Sequence, residues 1–143
     1  MDCFVSQANV NRRYVIRLDK DDMLLESIEK VIEEKGIRNA VVVSGIGTLS
    51  DARIHMVTTT GYPAVETYPE WKDDPIELCS IAGIIADGKP HLHMVFSDSK
   101  GTYSGHVEHG CRTLYLCEIV IEDLGIDLVR RIDEKNISVL QEK

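Results

Sequence analysis

The segment Lys89–Gly110, KPHLHMVFSDSKGTYSGHVEHG, contains two strand-like stretches with a turn signal, Asp98–Gly101, between them. Four of the five histidines of the chain lie in this segment. A four-residue loop built on a type I turn favours glycine at its last, left-handed position, and Gly101 fits that position. The segment therefore predicts a β-hairpin, and its register decides how the histidines are arranged.

The four-residue loop pairs Ser97 with Thr102 and, further along the same ladder, His93 with His106. Side chains alternate along a strand, so His91 and His93 share one face about 6.6 Å apart. Directly opposed Cβ atoms lie about 5 Å apart and diagonal ones about 7 to 8 Å. Because zinc binds histidine nitrogen at about 2.0 to 2.1 Å, three imidazoles at these separations can converge on one ion.

The opposite face of the same strand is apolar, as a core-facing surface should be, and carries Leu92, Met94 and Phe96. Two alternatives stay open at this point. A three-residue loop with a glycine bulge would turn His106 to the other face, and Gly105 could also host a bulge. The histidines would then be exposed or hydrogen-bonded groups on a polar sheet face.

Three further polar residues are weaker candidates. His109 follows His106 by three positions, which places the two side chains on opposite faces of an extended segment, and His55 stands alone in a strand pattern. We expect structural roles for both. Glu108 shares the face of His106 and could orient its imidazole, although a solvated carboxylate is the simpler expectation.

Outside the hairpin, the pattern indicates one helix and a series of strands. Asp21–Gly36 has acidic residues at its start, a glycine suited to a left-handed C-cap at its end, and apolar residues at helical spacing, namely Leu24, Ile28, Val31 and Ile32. Short β-branched or aromatic stretches cover residues 14–18, 40–45, 52–58, 76–85, 91–97, 102–108 and 113–122. This order predicts an α+β fold, with a mainly antiparallel β-sheet packed against one main helix.

Two connecting segments are rich in glycine or proline. Gly45 and Gly47 follow a strand pattern, but the third glycine and the helix of a dinucleotide-binding turn are missing. We interpret them as a tight strand connection whose backbone passes close to another part of the chain. Residues 61–75 contain three of the four prolines and are expected to form a loop or a weakly regular edge.

Length and composition indicate one globular domain of 143 residues with a formal charge of −8. This charge disfavours long-range attraction to nucleic acid or anionic lipid. The arginine clusters, Arg12, Arg13 and Arg17 near the start and Arg130 and Arg131 near the end, are expected to be solvated.

The cysteines and the hydropathy predict a cytoplasmic protein with no membrane contact. No C-x-x-C pair and no signal-peptide pattern occurs, which indicates a reducing compartment. Cys79 and Cys117 lie in apolar runs and are expected to be buried. No apolar run approaches the roughly 18 to 20 residues that span a bilayer.

Four segments, taken in order, resemble the PPC (plants and prokaryotes conserved) domain: SGIGTLSDA (Ser44–Ala52), PIELCSIAG (Pro75–Gly83), PHLHMVFSDSKGTYSGHV (Pro90–Val107) and LCEIVIEDL (Leu116–Leu124). The resemblance runs from about residue 14 to residue 131 and implies a single PPC-like domain over residues 1–143, of the stand-alone prokaryotic kind. It also implies a homotrimer and a zinc-like divalent ion. Carried onto this chain, the ligands of that ion are His91, His93 and His106.

The resemblance leaves three hypotheses about function. The first is a small metal-binding protein of unknown biochemical role, with no catalytic residue assigned. The second is a metal-dependent hydrolase or lyase, because three protein ligands leave a coordination position open. The third is DNA binding, as related prokaryotic proteins are often described, but the arginine-glycine-arginine-proline hook of the plant members is absent from this sequence.

Overall fold

The computed structural model describes residues 3–143, and these residues form one α-helix and a mainly antiparallel set of strands, as the α+β prediction states. In chain order the elements are β1 (Val10–Asp19), α1 (Leu24–Lys35), β2 (Ala40–Val57), β3 (Glu66–Thr67), β4 (Glu70–Trp71), β5 (Ile76–Ala86), β6 (Lys89–Ser97), β7 (Thr102–Val107), β8 (Arg112–Leu124), β9 (Leu128–Ile132) and β10 (Ser138–Glu142). Among residues 3–143, no helix is long and apolar enough to span a bilayer.

The main sheet has the strand order β1-β8-β2-β5-β6-β7, and every pair in it is antiparallel. The long strand β2 also reaches β7, where Ile54 pairs with Val107 and His55 with His106. Consequently β2, β5, β6 and β7 form a closed circuit of hydrogen-bonded strands. Strands β9 and β10 form a separate hairpin.

The core lies between α1 and the inner face of the sheet. The helix buries one stripe of its surface, consisting of Leu24, Leu25, Ile28 and Ile32. It ends as predicted at Gly36, which adopts the left-handed conformation with φ 63° and donates its N–H to Glu33. Asp21 and Asp22 lie outside the helix, because it begins at Leu24 after an N-cap at Met23.

Strand β2 corrects the prediction of two strands joined by a glycine connection. The chain runs without a turn through Ala40–Val57, and both glycines lie inside the strand. The prediction of a close backbone approach at these glycines is confirmed. A Cβ atom at Gly45 would lie 1.9 Å from Ile81 Cγ2, and one at Gly47 would lie 2.4 Å from the Leu116 carbonyl oxygen. Glycine is therefore needed at these two positions because neighbouring strands pack closely against the backbone, and not because the chain turns there.

Cysteine burial follows the prediction at one of the two positions. Cys117 is buried, whereas Cys79 is exposed. Strand alternation explains the difference, since Ile76 and Leu78 point into the core and Cys79 therefore points out of it. A β-bulge lies at the same place, where Leu78 pairs with Phe96 and the next paired residue is Ser80.

Candidate metal centre

The hairpin of β6 and β7 has the predicted register. Ser97 pairs with Thr102 and His93 with His106, while Gly105 stays in the ladder without a bulge. The turn itself differs from the prediction, because Gly101 is not left-handed. Instead the Asp98 carboxylate accepts the N–H groups of Lys100 at 2.8 Å and Gly101 at 3.0 Å.

The structure places His91, His93 and His106 together on the face that points away from the core. Their ring centroids are 5.3 Å apart for His91 and His93, 5.2 Å for His91 and His106, and 5.6 Å for His93 and His106. With zinc about 2.05 Å from each nitrogen and the ring centre roughly 1.1 Å behind it, a tetrahedral angle separates two ring centres by about 5.1 Å. The ring centres of these three residues are therefore spaced as in a shared site, although the group whose donor atoms lie within 4.8 Å of one another among residues 3–143 is a different one, His55, His106 and Glu108.

Two further side chains, His55 and Glu108, join this group. Strand β2 places His55 opposite His106, and the two rings stack with centroids 4.2 Å apart. The Glu108 carboxylate contacts Nδ1 of His55 and lies 3.0 Å from Nδ1 of His106. Glu108 is therefore an orienting partner rather than a solvated carboxylate, and His55 is not isolated.

The structure thus offers two overlapping sets of donor atoms that share His106. The donor atoms of His55, His106 and Glu108 all lie within 4.8 Å of one another, which makes this the most compact candidate cluster. Hydrogen bonding explains that compactness, since both imidazoles meet the same carboxylate through Nδ1. Nε2 of His106 is not used in these contacts and remains for an ion. Ligation by His91, His93 and His106 stays a prediction.

The environment favours the neutral form of His91 and His106, which is the form that binds metal. Burial lowers the pKa of His91, and the positive charge of Arg130 lowers it further. Burial also lowers the pKa of His106, and neighbouring His55 adds to this effect. Burial alone would raise the pKa of Glu108, but its hydrogen bonds and charge interactions with the two imidazoles outweigh burial and hold that pKa below its usual value.

The segment 61–75 covers the outer side of His55. Its two short strands pair with β2, in line with the prediction of a weakly regular edge. The Tyr68 ring lies 5.4 Å from the His55 ring, and its hydroxyl donates to Glu66 at 2.9 Å. The Arg53 guanidinium lies 5.5 Å from the Tyr68 ring centre. These contacts limit solvent access to the cluster from that side.

His109 lies apart from the cluster, as expected. Its Nε2 is 2.9 Å from a carboxylate oxygen of Glu29 on α1. The hydrogen bond to Glu29 raises the pKa of His109. His109 therefore ties the end of the hairpin to the helix and is not directed at the other histidines.

Fold and cluster together define a class: small α+β proteins in which a closed antiparallel sheet carries a group of histidines with an orienting carboxylate on its outer face. The profile of the Plants and Prokaryotes Conserved (PCC) domain matches residues 5–125. The chain belongs to this family, which confirms the resemblance seen in the sequence.

The chain is also similar to solved structures and to part of curated proteins. The chain is 27% identical to a metal-containing protein from Archaeoglobus fulgidus, with a TM-score of 0.75 and full coverage of both chains. A proposed DNA-binding protein from Bacteroides thetaiotaomicron has a TM-score of 0.78 at 15% identity, over 96% of this chain and 98% of that one, which shows the fold alone. Bifunctional protein GlmU from Synechococcus is 26% identical over 77% of this chain. The chain spans only about a sixth of the length of the curated relatives it matches, 16% and 17%.

Proposed function

We propose that the chain is a metal-binding protein in which His91, His93 and His106 hold one divalent ion, zinc in the first instance. The observation that carries this proposal is the spacing of the three rings, 5.2 to 5.6 Å, on one face of the hairpin. The metal-containing relative from Archaeoglobus fulgidus supports it. Histidine also suits copper, nickel and iron, so the choice of zinc rests on tetrahedral spacing alone.

Glu108 has the role of an orienting partner in this proposal. A ligand histidine commonly donates its second ring N–H to a carboxylate, which fixes the tautomer and the ring orientation. Glu108 meets Nδ1 of His106 in this way and leaves Nε2 for the ion. Three protein ligands leave one position open, and a zinc ion in such a site acts as a Lewis acid.

The test compares metal content in three untagged proteins by elemental analysis: the parent, His93→Ala and His55→Ala. We expect about one ion per chain in the parent, loss of the ion in His93→Ala and retention in His55→Ala, since three protein ligands are typical of an open zinc site. Loss in His55→Ala with retention in His93→Ala would instead assign the ion to His55, His106 and Glu108. A parent without metal under zinc-replete growth would refute both ligand sets.

The chain is further proposed to assemble as a homotrimer. Large apolar side chains remain exposed on the single chain, including Val15 at 83%, Tyr115 at 70% and Ile46 at 52%. Ile46, Leu116 and Tyr115 line a largely apolar cleft of about 410 Å³. Exposed apolar surface of this kind marks protein contact sites. The mass in solution, measured by light scattering, is expected to be three times the chain mass of 16.1 kDa.

A metal-dependent hydrolase or lyase is the alternative that the site geometry favours. Glu108 and His55 place a carboxylate and a second imidazole beside the proposed ligands, and such groups can move protons during a reaction. The test is turnover of an ester and phosphate panel by the zinc-loaded parent, with His93→Ala as control. Absence of turnover in a zinc-loaded parent would favour a binding role.

DNA binding and a cytoplasmic location stay predictions. The charge of −8 opposes attraction to a polyanion. A DNA-binding protein of this family should be retained on duplex DNA at low salt and released steeply as salt rises. Lack of retention at low salt would exclude this role.

A further inference from the structure

A cleft lies beside the histidine cluster, where β2 meets β7. Its volume is about 290 Å³, and it is lined by His55, Met56, Val57, His93, Gly105 and His106. Two of the three proposed ligands therefore form part of its wall. Because the ring centroids of His93 and His106 are 5.6 Å apart, an ion held between these rings would lie at the edge of the cleft.

The remainder of this lining is apolar. Within residues 3–143, no aspartate, glutamate, lysine or arginine contributes to it. Val57 follows His55 by two positions on β2, so the two side chains point to the same face of the strand. Val57 is 61% exposed, and Met56 beside it is 42% exposed. An apolar wall next to a few convergent polar groups is typical of a small-molecule site.

A second cleft, of about 330 Å³, extends from His93 toward β5 and differs in character. Its lining includes the hydroxyl side chains of Ser80 and Ser104, together with Val95, and His93 is its only proposed ligand. The cleft of Val57 is thus the one that combines two proposed ligands with an apolar wall. This difference allows the two clefts to be distinguished by a matched pair of valine substitutions.

We propose that the cleft of Val57 binds the apolar tail of a small molecule whose head group coordinates the ion held by His91, His93 and His106. This inference rests on the metal site of the proposed function and adds a class of ligand, a metal-binding head joined to an uncharged hydrocarbon or aromatic tail. Three protein ligands leave one position of the ion for the head. Since a cavity of about 150 Å³ already holds benzene, the cleft has room for a tail of that size.

The experiment uses the full chain loaded with Co²⁺, whose visible spectrum reports on its coordination. Acetohydroxamate and hexanohydroxamate share one metal-binding head and differ by four methylene groups, and each is titrated into the parent, Val57→Ser and the matched control Val95→Ser. Burial of one methylene strengthens binding about fourfold, so burial of two favours the longer probe by more than about tenfold. We expect this affinity ratio in the parent and in Val95→Ser, and a ratio at least about threefold smaller in Val57→Ser.

The ratio is taken within each variant, so a change in head-group binding affects both probes equally and cancels. Val57→Thr, which keeps the β-branched shape, is a second variant and should have an intermediate ratio.

The outcomes separate this inference from the proposed function. Equal affinities for the two probes in the parent, or an unchanged ratio in Val57→Ser, would overturn the apolar cleft and leave the metal site standing. Cobalt uptake without a response to either probe would do the same. A ratio that falls in Val95→Ser but not in Val57→Ser would overturn the assignment, because the tail would then lie toward β5. A parent that takes up no cobalt would overturn both proposals.

Discussion

At the scale of single residues, Glu108 decides which nitrogen of His106 faces outward. The carboxylate lies 3.0 Å from Nδ1 of His106 and also contacts Nδ1 of His55. A carboxylate accepts and does not donate, so each imidazole keeps its proton on the nitrogen that meets Glu108. Nε2 of His106 is thereby held in the form that binds an ion.

We therefore expect Glu108→Gln to weaken zinc affinity about 10- to 100-fold, as loss of an outer carboxylate commonly does. The amide keeps the shape of the side chain but loses the charge that orients both rings. Competition with a chromogenic chelator measures the affinity, and Glu134→Gln, an exposed residue between β9 and β10, is the control. Equal affinity in Glu108→Gln and the parent would contradict the orienting role.

His109 gives a pH dependence that does not involve the proposed metal site. Its pKa is raised in the folded state by the hydrogen bond to Glu29, so this contact stabilises the fold below the unfolded value of about 6.5. The stabilisation is lost as pH rises through the folded pKa. Glu29→Gln should therefore lower the free energy of unfolding, relative to the parent, by more near pH 5.5 than near pH 8.5, about one unit below and two above the reference value. Urea unfolding with chelator present measures this difference. A loss of unfolding free energy that is larger at the higher pH would contradict a stabilising contact between protonated His109 and Glu29.

The residues of the site differ in how far sequence could place them. His91, His93 and His106 could be placed on one face because strand alternation and a four-residue loop suffice for that. Glu108 could be placed on the face of His106 by the same alternation, but His55 could not join them, since it lies 53 positions before Glu108 and meets it only because β2 pairs with β7.

At the scale of elements, the glycines of β2 let neighbouring strands approach closely. A Cβ atom at Gly47 would lie 2.4 Å from the Leu116 carbonyl oxygen and 2.6 Å from Cys117 Sγ. These neighbours belong to β8, and the backbone atoms among them cannot move without disturbing the ladder. The position is therefore intolerant of any side chain.

Gly47→Ala should lower the free energy of unfolding by about 1 to 3 kcal/mol, the usual cost of forcing an extra carbon into a packed site. Gly61→Ala is the matched control, because a Cβ atom at Gly61 would meet nothing within 4 Å. Chemical denaturation of the two variants measures the difference. A Gly47→Ala protein as stable as Gly61→Ala would show that β2 and β8 can separate at little cost.

Helices and strands could be predicted from the sequence where residue spacing and turn residues agree with the packing of the folded chain. The helix end at Gly36 and the strands of the hairpin follow from spacing and turn residues. The continuity of β2 was not predictable, because glycine usually marks a turn or bulge and only the facing strands show otherwise. The sequence analysis also missed the hairpin of β9 and β10, in which Arg130 pairs with Leu140. Polar residues in these strands obscure the alternation of apolar and polar side chains.

At the scale of the whole molecule, exposed apolar residues on the sheet are the basis of the proposed self-association. Tyr115 is 70% exposed and lines the cleft with Ile46 and Leu116. Tyr115→Glu should reduce the mass in solution toward that of a single chain, because a charge is costly to bury in an apolar contact. Light scattering over a range of concentrations measures this, with Ile137→Glu on the β9–β10 hairpin as control. A parent that already has the mass of one chain would contradict the trimer.

The closed circuit of β2, β5, β6 and β7 should hold the histidine cluster rigid even without the proposed ion. A one-residue slip of β7 would have to break its ladders with β6 and with β2 at the same time. Ion capture should consequently cost little conformational entropy. We expect amide hydrogen exchange in β6 to be slow in the metal-free protein and to change little on loading, whereas fast exchange there without the ion would mean that metal folds the hairpin.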